Sequence, residues 1–245
     1  LKLMSTIKPC VVALEACASA HYWGRQIEDL GHEVKLIPPI YVKPFVKRQK
    51  NDAADAEAIV EAASRPTMRF VAVKSADQQA AGMAFKTRDL FVRQRTQLTN
   101  ALRGHLAEHG VVAPQGIVHL KRLKAALSDE KNELPATVVI HAELILDQIA
   151  TLQSHIEALE KEILAVSRKE ELATRLMTIP GVGPITAAAL LAFAPDPATF
   201  KRGRDFSAWM GLTPKQHSSG GKEKMGRTSK MGQRDLRQLL ITGAM

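Results

Sequence analysis

Cysteine is scarce. The chain of 245 residues has two, Cys10 and Cys17, flanking an apolar run. That excludes a disulfide framework and the paired spacing of a zinc finger, and it suits a reducing compartment. No apolar run approaches the ~20 residues of a helical membrane span, and no secretory signal pattern is visible. There is no GxSxG elbow of a serine hydrolase. Nor is there a P-loop, since the glycines lack the four-residue spacer and the Ser or Thr after lysine. Acidic residues are in deficit, 25 against 34 Lys and Arg, for a formal net charge of +9. The apolar share of 45% argues against disorder. What remains is a folded, basic protein with room for two compact units. Its charge suits a polyanion, nucleic acid before an anionic membrane surface; the plain alternative is a soluble basic protein. The chain opens at Leu1 and stops at Met245 inside a helical pattern, which reads as a piece of a longer one.

The positive charge is concentrated. From Lys201 to Arg237 stand ten Lys and Arg against Asp205, Glu223 and Asp235. A surface that tracks phosphates needs that concentration; a merely solvated one does not. Residues 43–50, with Lys47, Arg48 and Lys50, and residues 86–103 are further basic stretches.

Hydrophobic periodicity gives the elements. Residues 10–14 read as a short buried strand ending at Glu15. A helix from about Ser19 to Leu30 is stopped by Gly31, and His32 to Ile37 reads as a second strand. Strand–helix–strand implies parallel pairing. Asp52 opens an alanine-rich helix to about Ser64, and Val71 to Val73 is a short extended piece. Residues 75–109 form one long helix. Then Val138, Ala142, Ile145, Ile149, Leu152, Ile156, Leu159, Ile163 and Val166 alternate spacings of four and three. That is a coiled-coil seam, which fits either an ordinary bundle or pairing with a helix within or between chains. Further helices are expected at 184–193, at 204–211 and from Asp235 onward, with 213–232 loop-like.

Three constellations carry chemistry. Asp52 and Asp55 lie one helical turn apart on one face, and Glu15 ends a strand, where open α/β sheets place their sites. Oxygen ligands converging from a strand end and a helix suit Mg2+ and phosphoryl transfer; the plain alternative is an N-cap at Asp52 and a dipole partner at Asp55. Pro180-Gly181-Val182-Gly183 before Pro184 is a tight turn at a helix N-terminus. Its free N–H groups can accept a phosphate, as in helix–hairpin–helix binders, or it is a plain interhelical turn. Ser218-Ser219-Gly220-Gly221 is crowded by Lys222, Lys224, Arg227 and Lys230. Cations of this kind neutralise charge that develops when a serine attacks a phosphodiester, while the plain reading is a flexible basic loop.

In this order the blocks resemble the insertion-sequence-110, or DEDD, transposase family. The first is Val11-Val12-Ala13-Leu14-Glu15-Ala16 with Trp23, Leu30-Gly31 and Lys50-Asn51-Asp52-Ala53-Ala54-Asp55-Ala56. The second is Ile179-Pro180-Gly181-Val182-Gly183, Trp209-Met210-Gly211-Leu212-Thr213-Pro214, Ser218-Ser219-Gly220-Gly221 and Ser229-Lys230-Met231-Gly232 with Leu236-Arg237. The match spans nearly the whole chain, and its ordered set is more specific than any one block.

The resemblance implies an α/β plus α architecture. Residues 1–74 would be an RNase H/RuvC-like domain without its first strand. Residues 75–172 would be long helices and a coiled coil, and residues 173–245 a mostly helical transposase domain with a helix–hairpin–helix-like turn. Glu15, Asp52 and Asp55 match three members of an acidic tetrad for Mg2+ (or Mn2+), the first Asp falling upstream of Leu1. The catalytic serine would be Ser219, or Ser218 beside it. Lys47, Arg48, Lys50, Gly181, Gly183, Lys222, Lys224, Arg227, Lys230 and Arg237 would hold nucleic acid. The implied partners are DNA, a noncoding guide RNA and further copies of the chain, as a dimer or tetramer through the coiled coil. A cytoplasmic, nucleoid-associated location and no membrane partner go with them. The rival readings are an inactivated nucleic-acid-binding copy and a RuvC-type junction nuclease that uses carboxylates alone.

Overall fold

The computed structural model describes residues 1–47 and 51–245. They divide into two compact units, Leu1–Ala80 and Ala81–Met245.

In the first unit, β1 (Val11–Glu15) and β2 (Glu33–Ile37) pair in parallel, from Val11 opposite Glu33 to Glu15 opposite Ile37. Parallel neighbours need a crossover, and α1 (Ala20–Glu28) supplies it. The turn into α1 passes through Ser19 at φ 66, a conformation that costs a non-glycine residue about 1–3 kcal/mol. Gly24 lets the 70s segment approach α1, because a Cβ there would lie 2.9 Å from Val73. The extended piece expected at Val71 makes a single antiparallel bridge to Leu36. α2 (Pro39–Val42) and α3 (Asp52–Ala63) complete the unit, whose core joins Ile37, Val42, Ala58 and Ala62 to Ala13, Phe45 and Met68. His32 is buried, and its polar atoms are satisfied. Nδ1 accepts the Cys10 N–H at 3.2 Å and Nε2 donates to the Met4 carbonyl at 3.0 Å, which assigns the neutral Nε2–H tautomer.

The second unit is helical apart from one hairpin. α4 (Ala76–Ala107) begins in the first unit and runs through the second. It is followed by α5 (Leu120–Leu127), α6 (Ala136–Lys169), α7 (Glu171–Leu176), α8 (Pro184–Phe193) and α9 (Gly203–Trp209). β3 (Pro214–Gln216) and β4 (Met225–Thr228) then pair antiparallel, and α10 (Arg234–Gly243) closes the described chain.

α4 and α6 run antiparallel. Near one end Phe85 shares a cluster with Ile163; near the other Leu102 and Leu106 share one with Ala142 and Ile149. Between them Arg88 pairs with Glu160 and Arg95 with Gln153. The α6 seam read from the sequence therefore packs on a helix of the same chain. It runs true to Ile163 and then slips: Val166 is 49% exposed and Ser167 is buried in its place. No described helix is long and apolar enough to cross a membrane.

Candidate functional site

The segment expected as a loop at 213–232 is a β-hairpin. Gln216 lies opposite Met225, and a further bridge joins Ser219 to Lys222. The turn between them is Gly220-Gly221, with φ +58 and +76. Positive φ at both central residues is the two-residue turn whose twist matches the flanking strands, and paired glycines adopt it without a Cβ penalty. The glycines thus set the hairpin geometry. The pairing is hard to read in the sequence because the strands are short, exposed and without apolar alternation.

The hairpin separates the two serines. The Ser218 hydroxyl accepts the Lys224 N–H at 3.1 Å and helps close the loop. The Ser219 hydroxyl has no partner among the described residues and is exposed. Directly opposed residues and residues two apart share a face. The register from Gln216–Met225 and Ser219–Lys222 therefore puts His217, Ser219, Lys222 and Lys224 on one face. In the sequence, the period of two counted back from the glycine pair is the signal that places His217 with Ser219. Its ring packs on Gly226, 3.1 Å from where a Cβ would stand.

The base of the hairpin is held by close backbone contacts. A Cβ on Gly211 would lie 2.6 Å from the Met231 nitrogen. Ser229 N–H donates to Thr213 at 2.8 Å and Lys230 N–H to Gly211 at 3.0 Å, with Lys230 at φ 54. Arg237 donates to the Met210 carbonyl at 2.8 Å, so this guanidinium, expected on nucleic acid, ties α10 to the 209–214 turn.

The Pro180–Gly183 turn does join two helices, α7 and α8. Gly181 takes φ +82, Val182 N–H donates to Ile179 at 3.0 Å, and Pro184 opens α8. The backbone N–H groups of Gly183 and Ile185 have no partner among the described residues. Gly181 has a second duty: the side where a Cβ would stand is filled by the backbone of Gly243.

The carboxylates stand on packed neighbours, since β1 and α3 meet through Ala13, Ala58 and Ala62. The α3 cap is Asn51, whose side chain accepts the Ala54 N–H at 2.8 Å. Asp52 is therefore the first helical residue and no cap, and Asp55 shares its first turn. Neither they nor Glu15 has an ion-pair partner among the described residues. Their oxygen donors suit a hard cation, but among the described residues no three His, Cys, Asp or Glu side chains gather into a group that could hold one.

Several expected basic contacts are used inside the chain. Lys47 pairs with Glu57 at 2.6 Å, Arg93 with Asp89 at 2.9 Å, and Arg103 donates to Ala113 at 3.1 and 3.2 Å. With Arg88 and Arg95 bound to α6, four of the cations of the 86–103 stretch are engaged within the chain. Arg48 and Lys50 lie outside the described residues. Lys222, Lys224, Arg227 and Lys230 are exposed, with no ion pair among the described residues.

A family model described as "Transposase IS116/IS110/IS902 family" matches residues 173–245, and a DEDD transposase model of IS110 type matches residues 2–110. The chain is 47% identical over 240 residues to a probable family 20 transposase of Pseudomonas aeruginosa, covering 97% of this chain and 71% of that protein. It is 46% identical over 244 residues to a putative transposase of Sinorhizobium fredii, covering 100% of this chain and 63% of that protein. It is also 44% identical over 240 residues to the transposase for insertion sequence element IS1328 of Yersinia enterocolitica, covering 98% and 71%. The chain thus spans between 63% and 71% of the length of these relatives.

Proposed function

The chain belongs to the IS116/IS110/IS902 family of transposases, and on that premise we propose that it exchanges DNA strands of an insertion sequence with Ser219 as the nucleophile. One observation carries the choice. The Ser218 hydroxyl accepts the Lys224 N–H, whereas the Ser219 hydroxyl has no partner among the described residues and stands beside the glycine turn, directly opposite Lys222.

The chemistry follows from that face. Ser219 Oγ attacks a backbone phosphorus, its proton leaves to solvent or a nearby base, and the 3′ oxygen departs as a hydroxyl. The product is a phosphoserine link to the new 5′ end, with a free 3′-hydroxyl on the other fragment. A 3′-hydroxyl of another strand attacks that link, and the serine leaves and regains a proton. Each step exchanges one phosphodiester for another, so no nucleotide hydrolysis is required. Lys222 and Lys224 supply positive charge where the phosphorane becomes more negative.

The acidic residues enter through the family. Glu15, Asp52 and Asp55 would be the residues toward Mg2+ (or Mn2+), which would supply charge neutralisation at the scissile phosphate. In the present arrangement they do not fit as a closed ligand set, and no step above runs through an ion. The parallel β1–β2 pair with its α1 crossover supports the RuvC-like reading of the first unit. The proposal retains a noncoding RNA that pairs with donor and target and supplies sequence choice, the protein gripping backbones. It also retains assembly of several copies. With the α6 seam packed on α4, that assembly would use other faces.

The test is trapping. Wild-type protein incubated with its element's DNA and a divalent cation should leave protein–DNA adducts on denaturing electrophoresis, lost in Ser219→Ala and retained in Ser218→Ala. Adducts that persist in Ser219→Ala overturn the assignment. Cleaved ends with no protein attached identify a RuvC-type nuclease, and DNA binding without cleavage identifies a non-catalytic copy.

A further inference from the structure

A groove in the first unit is lined by none of Glu15, Asp52 and Asp55. Its walls are the segment around α2 and the turn after α3, and its lining includes Tyr41, Phe45, Arg65, Thr67, Met68 and Arg69. Two aromatic rings and two guanidinium groups meet there. Arg65 stacks its guanidinium 5.4 Å from the Phe45 ring centre and pairs with Glu61, which holds it in place. Tyr41 is 45% exposed, and neither its hydroxyl nor the Arg69 guanidinium has a partner among the described residues.

We propose that this groove grips an unpaired nucleotide of a single strand, the base stacked on Tyr41 and the phosphate on Arg69. The inference rests on reading the chain as a nucleic-acid enzyme. A duplex offers phosphates but hides the faces of its bases in the stack; only an unpaired base can lay its face on a tyrosine. Arg69 suits a phosphate because its fork is planar, always charged and unengaged among the described residues. Phe45 and Met68 also line the groove, half-buried and packed against the core of the first unit. Strand exchange and guide pairing both generate unpaired nucleotides, and they can be DNA or RNA.

The experiment uses the full chain and fluorescence anisotropy with labelled oligothymidylate, oligouridylate and a duplex of unrelated sequence. Tyr41→Ala should weaken single-strand binding about tenfold, the scale of one lost stacking contact, while Tyr41→Phe keeps it. Arg69→Gln should flatten the salt dependence by about 0.7 in the log–log slope, one phosphate's worth on a single strand. Duplex affinity should not move in either variant. The oligomer that loses more in Tyr41→Ala identifies the strand as DNA or RNA. Unchanged single-strand binding in both variants, or equal losses on duplex and single strand, overturns the proposal. Both tyrosine variants lie on the surface, and unchanged melting confirms their fold. If adducts fail to form in the wild type while the tyrosine effect stands, the serine reading falls and the groove survives; the reverse result separates them the other way.

Discussion

Gly181 and Gly243 touch backbone to backbone: the space a side chain would need on either is occupied by the carbonyl of the other. The turn between α7 and α8 is therefore seated against the last turn of α10, and Gly181 also holds φ +82. Val182, Leu176 and Leu240 pack in the same cluster.

Alanine at either glycine should push α10 off the turn. Gly181→Ala carries both the clash and the left-handed strain, and should cost roughly 2–4 kcal/mol. Gly243→Ala carries the clash alone and should cost less. Urea unfolding with helical signal measures both; equal stability of Gly181→Ala and wild type would refute the contact.

Arg237 and the hairpin lysines should separate cleanly. Arg237→Met removes a bond to the Met210 carbonyl, so stability should fall by about 1–3 kcal/mol. Lys222→Gln and Lys224→Gln should leave stability alone and flatten the salt dependence of duplex binding by about 0.9 each. Salt titrations beside thermal melts check the division. A large slope change in Arg237→Met with an unchanged melt would return that residue to the nucleic-acid surface.

Ile149 tests what the long seam is for. It is buried with Leu102, Leu106 and Leu123 of the same chain. Ile149→Ala should destabilise the helical unit by about 2–5 kcal/mol and leave the oligomeric state unchanged in sedimentation. Dissociation without loss of stability would show that the seam belongs between chains.

Ser218→Ala removes the acceptor for the Lys224 N–H. The hairpin should fray by about 1 kcal/mol, visible as faster amide exchange at Lys224. Strand exchange should slow and persist. Complete loss with an unfrayed hairpin would transfer the nucleophile to Ser218.

Legibility in the sequence followed periodicity. α6 could be placed because apolar residues recur at helical spacing over many turns, α1 by the Gly31 stop, α3 and α8 by the Asp52 and Pro184 that open alanine-rich runs, and the parallel strand pair follows from strand–helix–strand order. The hairpin escaped because β3 and β4 are three and four residues long and exposed. Its one strong signal, Gly220-Gly221 between polar runs, is as common in flexible loops. The basic stretch at 86–103 showed charge but not partners; Glu160 and Gln153 lie more than fifty positions away, beyond any local pattern.

What the sequence by itself determined is the family, the helical periods and the identity of the charged and nucleophilic side chains, since these depend on residue type and short-range order. Which serine hydroxyl has a partner among the described residues, which arginines are engaged within the chain, and where the α6 seam finds its partner were decided only by the tertiary structure. Each depends on groups distant in the chain meeting within hydrogen-bond or packing range, and that proximity is created by folding.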